Sequence, residues 1–202
     1  MIVYEVPKKS GTQGSFTGLM KYLTNDQGNQ ARVGDIAMSN LVSEDVRMAC
    51  IEATAIQKMN TRAKSDKTLH LVMSFPSGEK PSSEILKKCE EQVIKELGMN
   101  DYQRISVVHG DTDNLHVHIV INKIHPKTHN INEPYQSYKK LAKASVECEE
   151  RFGLRRDNHE FVRANVENRI DKIEIHKGEE ALCSAIRTLG SRLSKAQSWK
   201  EF

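Results

Sequence analysis

Between Val107 and Asn122 the chain reads VVHGDTDNLHVHIVIN, in which His109 is followed seven positions later by His116 and then by His118. Successive side chains of a strand point to opposite faces, so His116 and His118 point together while Val117, Ile119 and Ile121 supply the apolar other face. Ile105 to Val108 reads as the partner strand, and GDTDN between the histidines has turn chemistry, so a hairpin brings His109 beside the other two. Three neutral imidazoles on one sheet face would hold a divalent cation and leave coordination positions open, which a catalytic site requires and a structural one does not. A single strand histidine is ordinarily a satisfied polar residue, and even two at alternate positions can be a half-exposed face. Three converging from a hairpin, with Asp111, Asp113 and Asn114 in its turn as supporting groups, are harder to explain that way. The spacing names neither the metal nor the reaction.

The rest of the chain reads as alternating strands and helices. Met1 to Val6 alternates as a strand, KKSGTQG is a turn-rich loop, and Ser15 caps a helix over FTGLMKYLTN. Phe16, Leu19, Met20 and Leu23 form that helix's apolar stripe, and Tyr22 lies about 110° from its centre at ~100° per residue, on the flank. A flanking tyrosine is ordinarily half-buried with its hydroxyl in water. Its hydroxyl, with a pKa of about 10, becomes a useful nucleophile only near a cation or base, and the histidine hairpin could supply one.

Residues 31–41 form a weak second strand or an extended loop, and Ser43 caps a helix over SEDVRMACIEATAIQKMN with Asp45 in its first turn. Thr68 to Phe75 reads as a core strand with Ser74 at its end, and Ser82 to Leu97 as a helix closed by Gly98. This order suggests helices covering one sheet face, with the histidines on the other, open one. Tyr135 to Phe152 reads as a helix followed by Gly153, and further helical patterns run over residues 166–175 and 179–196.

At 202 residues, 38% hydrophobic and 28% charged, the chain suits one soluble domain with a sizeable core and a short appended segment. No apolar run is long enough to span a membrane, and MIVYEVPKK lacks a signal-peptide core, so a cytoplasmic location is expected. Cys50, Cys89, Cys148 and Cys183 are widely spaced and read as packing thiols. The net charge of +3 says little by itself. Clustered cations say more: Arg62, Lys64 and Lys67 precede one strand, and Lys123, Lys127, Lys139, Lys140 and Lys143 follow the hairpin. Such clusters near a metal site favour a polyanion, with Arg62, Lys64, Lys123 and Lys127 as candidate contacts to it, although a solvated face is the ordinary explanation of any one of them.

Tyr22, Ser74 and the histidines together resemble the relaxase domain of TraI-type conjugation proteins, in the MOBP group of HUH endonucleases. FTGLMKYLTN resembles motif I, LHLVMSFPSGE motif II and RISVVHGDTDNLHVHIVINKIHP motif III, and NEPY, GLRRDNHE and KAQSWKE are also familiar from that family. The resemblance implies an α+β fold, a palm-like, mainly antiparallel five-stranded sheet flanked by helices. It implies that Tyr22 is the nucleophile, that His109, His116 and His118 bind Mg2+ or Mn2+, and that Ser74 contacts DNA near the nick. Asp113 and Asp111 are candidates to orient a ligand or accept a proton. The implied reaction is metal-assisted tyrosyl transesterification of one strand at a plasmid transfer origin, giving a 5′-phosphotyrosyl intermediate that is later rejoined.

Implied partners are single-stranded DNA at that origin, a relaxosome accessory protein and the coupling protein of a type IV secretion system. Residues 1–158 are expected to form the relaxase domain, and 159–202 a helical extension leading into a longer, plasmid-encoded bacterial protein. A rolling-circle replication initiator would share the chemistry, but its tyrosine follows the histidines, whereas here it precedes them. A DNA-binding module without catalysis, or a zinc hydrolase, are the readings from other classes. Neutral imidazole ligation further implies activity that falls with pH through the histidine range, around 6 to 7.

Overall fold

A computed structural model describes residues 1–7, 14–25 and 32–157. Five strands form one sheet in the order β1-β3-β5-β4-β2, every neighbouring pair antiparallel. They are β1 (Ile2–Glu5), β2 (Val33–Ser39), β3 (Thr68–Ser74), β4 (Arg104–His109) and β5 (His116–Asn122). The helices are α1 (Phe16–Leu23), α2 (Val46–Met59), α3 (Ser83–Leu97) and α4 (Ser137–Phe152). This is the expected α+β architecture with a five-stranded sheet.

Local chemistry sets most of the helix ends. The Ser15 hydroxyl accepts from the Gly18 amide at 3.1 Å and Ser82 from Ile85 at 3.4 Å, each satisfying a first-turn N–H that has no partner in the helix. Gly98 and Gly153 close α3 and α4 at φ of 71° and 63°, a left-handed conformation in which a side chain would be strained. At α2 the expected cap moves by two residues: Asp45 accepts from Met48 at 2.9 Å, while the Ser43 amide and hydroxyl are drawn to Glu52. The carboxylate is nearer the first turn and carries charge toward the positive end of the helix, so it takes the role.

Strand alternation divides the interior in two. One side of the sheet packs Leu71, Met73, Ile119 and Ile121 against Leu86, Cys89 and Val93 of α3 and Leu141, Ala144 and Cys148 of α4. The other packs Ile105, Val107 and Val120 against Phe16, Met20 and Leu23 of α1 and Ala49, Cys50 and Ala53 of α2. Helices therefore lie on both faces, not on one. The histidines continue the Val107 and Val120 rows, so they share their face with α1 and α2 and sit beyond the end of that packing. The expectation of an open histidine face is corrected accordingly. The apolar stripe of α1 needs a surface to bury it, and the small residues Ala49, Cys50 and Ala53 let α2 settle closely on the same side of β4 and β5.

Cys50, Cys89 and Cys148 are buried free thiols, as the spacing suggested. Among the described residues no helix is long and apolar enough to cross a membrane. The loop expected over residues 8–13 and the helical patterns expected beyond Asp157 lie outside the described residues.

Candidate metal centre and tyrosine

The β4–β5 hairpin pairs His109 directly with His116 and Val107 with His118, so all three imidazoles leave the same face of the sheet. Their ring centroids are 5.4, 4.6 and 5.1 Å apart, and one nitrogen from each falls within 4.8 Å of the others. His109 is buried, whereas His116 and His118 are half-buried.

Each imidazole has its second nitrogen engaged. His109 Nε2–H donates to the Leu23 carbonyl at 2.8 Å. Leu23 ends α1, where carbonyls lack a helical partner, so the ligand strand and the tyrosine's helix satisfy each other. His116 Nδ1–H donates to the Asn114 carbonyl at 3.0 Å. His118 Nδ1 lies 2.9 Å from Nε2 of His70, a residue of β3. One nitrogen held by a neighbour, with the other left available for a cation, is the arrangement of metal-binding histidines. Burial lowers the pKa of His109, with the neighbouring His116 and Arg32 adding to the effect against the Leu23 bond. Burial, followed by His70 and the other two histidines, pushes His118 down to about 3. Both shifts favour the neutral form that a ligand requires.

Tyr22 precedes Leu23 on α1 and is 58% exposed. The Arg32 guanidinium lies over its ring at 5.2 Å from the centroid, itself only 7% exposed. Arg32 also donates from Nη1 to the Asn25 carbonyl and approaches the Asp111 carboxylate with Nε at 3.5 Å. Its position follows from β2: Val33 pairs with His109 beside a bulge, which sets Arg32 against the hairpin turn, where its carbonyl accepts from Gly110 at 3.3 Å.

The structure distributes the other expected residues unevenly. Ser74 pairs directly with His116, which sets it at the edge of the histidine cluster. Asp111 faces Arg32 and also acts electrostatically on His109, and Asp113 is exposed in the turn. The basic residues do not adjoin the histidines. Thr68 pairs with Asn122, so Arg62 and Lys64, before β3, and Lys123 and Lys127, after β5, gather at the opposite end of the sheet. Six strand steps separate His116 from Asn122, about 20 Å at ~3.4 Å per residue. Lys123 is not a presented charge: it is 7% exposed and its Nζ is held by Glu133 at 3.0 and 3.1 Å. Arg62 is exposed and donates to Asn130, and Lys64 and Lys127 are exposed.

Two members of the site were missed from sequence. Arg32 stands in a polar stretch without periodicity, and only pairing with the hairpin reveals it. His70 had a signal: it shares a strand face with Ser74, four residues on, so placing one at the site places the other on the same side.

Comparison with known proteins identifies the family. The relaxase family model, described as MobA/VirD2-like, nuclease domain, matches residues 22–154, from Tyr22 through the hairpin and all of α4. Two proteins named TraI from Escherichia coli are each 43% identical over 202 residues, all of this chain but only 28% and 27% of their own lengths. MobA of Acidithiobacillus ferrooxidans is 42% identical over 74 residues, 37% of this chain and 18% of that protein. The chain thus spans little more than a quarter of the length of its TraI relatives. The resemblance read from the three motifs is borne out, and so is the reading of this domain as a nuclease: the chain belongs to the MobA/VirD2-like relaxase nuclease-domain family.

Proposed function

We propose that this domain nicks one DNA strand at a plasmid origin of transfer, using Tyr22 as nucleophile and His109, His116 and His118 as ligands of Mg2+ or Mn2+. The observation that carries the reading is the pairing of two things by one contact. The Leu23 carbonyl, adjacent to Tyr22 in the chain, accepts from the imidazole of His109, which ties the tyrosine's helix to the histidine cluster.

The three imidazoles form a neutral donor set that suits a transition metal, with Mn2+ preferred over Mg2+ on chemical grounds. When bound, the cation would draw charge from the phosphate oxygens as negative charge grows there. Tyr22 attacks the scissile phosphorus in line: the bond from its Oη to phosphorus forms, the bond to the 3′-oxygen breaks, and the phenolic proton is balanced by the proton gained at the 3′-hydroxyl. One phosphodiester replaces another, so the strand can be rejoined by attack of a 3′-hydroxyl on the phosphotyrosine. Arg32 holds the tyrosine ring from one side and so restricts its orientation. Ser74, opposite His116, contacts the strand beside the nick.

Residues 1–158 constitute the nicking unit on this reading, with 159–202 a segment appended to it. The domain acts in the bacterial cytoplasm with an accessory DNA-binding protein and with the coupling protein of a secretion system.

The test mixes wild-type and Tyr22→Phe protein with 3′-labelled single-stranded oligonucleotides carrying candidate nick sequences, with Mn2+ or with chelator. Label should migrate with wild-type protein on denaturing gels and be absent in the variant and in chelator, with oligonucleotide binding retained. Cleavage without a protein adduct would replace transesterification by hydrolysis and remove Tyr22 from its role.

A further inference from the structure

We propose that His70 is the positioning residue of the metal centre, acting through His118 as a hydrogen-bond acceptor that fixes its tautomer. The inference rests on the reading of the three histidines as metal ligands. In the β3–β5 pairing His118 stands opposite Val72 and His70 opposite Val120, so the two imidazoles leave the same sheet face as diagonal neighbours. Their rings are tilted by 33° with centroids 5.1 Å apart, and His70 Nε2 meets His118 Nδ1 at 2.9 Å. His70 is 8% exposed.

The other two ligands are oriented differently. His109 and His116 each meet a backbone carbonyl, and a carbonyl only accepts, so the engaged nitrogen of each must carry the proton. For His118 the partner is a ring that can donate or accept. Only one assignment leaves His118 able to bind a cation through Nε2: its Nδ1 bears the proton and His70 Nε2 accepts, which in turn places the proton of His70 on its own Nδ1. The opposite assignment would put the His118 proton on Nε2, the nitrogen left for a cation, and block it. The identity of residue 70 therefore decides whether the third ligand is available.

An imidazole in this place has a consequence that a carboxylate would not. It accepts the hydrogen bond while remaining neutral, so no negative charge is added beside the centre. The full charge of a bound divalent cation stays available to an approaching phosphate diester. His70 thus trades some ligand basicity for electrophilic strength.

The test has two parts on the 202-residue chain. Nitrogen and carbon chemical shifts of the His118 ring, in metal-free protein at neutral pH, should report the proton on Nδ1. A proton on Nε2 in the wild-type protein would overturn the proposal without any variant. Mn2+ titration calorimetry without DNA then compares His70→Leu, which removes the acceptor, with His70→Gln, whose amide oxygen can replace it. Outer partners of metal-bound histidines are commonly worth about 10- to 100-fold in affinity. The leucine variant should lose that much Mn2+ affinity, recover nicking when metal is raised to saturation, and show His118 shifted toward the Nε2–H form. The glutamine variant should restore most of the affinity. Unchanged Mn2+ affinity in His70→Leu would overturn the proposal, as would a loss of nicking that saturating metal does not restore. If the wild-type chain itself binds no Mn2+, or binds it equally well after His118→Ala, the metal-centre reading fails first and is distinguishable from a failure of His70 alone.

Discussion

Burial and the like-charge neighbours of His118 hold its pKa at about 3, and burial lowers that of His109 as well. In the unfolded chain a histidine titrates at about 6.5, so between those values the unfolded state binds protons that the folded state refuses. Folding stability is then fully present above about 6.5 and falls as pH is lowered toward the depressed folded value. Chelator-treated protein should accordingly melt at progressively lower temperature from about pH 7 to about pH 4, with a shallower decline in His118→Gln. Parallel declines in the two proteins would assign the pH dependence to other groups. The same shifts mean that neither His109 nor His118 accounts for a fall in activity around pH 6 to 7, because both stay neutral further into acid than free imidazole does. Between about pH 6.5 and 5, Mn2+ binding should therefore displace fewer protons than three free imidazoles would release at the same pH, as read by calorimetry in buffers of different ionisation enthalpy. At this scale the triad was legible because strand period and a short turn are local properties. The His70 contact was not, because it depends on the register of two strands and joins residues 48 apart in the chain.

Among the elements, the loop end of α1, the start of β2 and the β4–β5 turn meet at Arg32. Its guanidinium covers the Tyr22 ring, donates to the Asn25 carbonyl and faces Asp111. A cation over an aromatic face contributes about 0.5–2 kcal/mol, and here that contribution restricts the orientation of the proposed nucleophile. Arg32→Gln should lower the single-turnover nicking rate about tenfold, within the roughly 2- to 30-fold range that energy implies, while changing oligonucleotide affinity little. Arg32→Lys keeps the charge but loses the planar stack and fork, so it should recover only part of the rate. Weakened binding with an unchanged single-turnover rate would instead make Arg32 a phosphate ligand. Element boundaries were largely legible, since Ser15, Ser82, Gly98 and Gly153 act within one turn of themselves. The cap of α2 and the two-sided covering of the sheet were not. Asp45 against Ser43 is a contest settled by Glu52 drawing the serine away, and which face a helix covers depends on how the chain crosses the sheet rather than on that helix's own pattern.

Across the whole molecule, the histidine cluster and the cationic loops occupy opposite ends of the sheet, because β3 and β5 run antiparallel and each carries its functional residues at a different terminus. Sequence proximity of Lys123 and Lys127 to the hairpin is misleading for that reason: a strand of seven residues carries the chain about 20 Å away from His116. On the proposed function, a DNA strand cleaved at the centre would reach these cations only by extending along the protein, which would make them determinants of affinity rather than of chemistry. Replacing Arg62, Lys64 and Lys127 together with Ala should weaken binding to long single-stranded oligonucleotides and reduce the slope of log affinity against log salt by about 2, at ~0.7 for each phosphate neutralised on a single strand. Nicking of saturating substrate should be unaffected. Lys123→Ala should behave in the opposite manner, because its ammonium is committed to Glu133. Its loss leaves the salt slope unchanged and lowers the melting temperature by removing the partner of a carboxylate that also accepts from Ser65. Equal effects of Lys123 and the exposed trio on the salt slope would mean that DNA opens the Lys123 pair on binding.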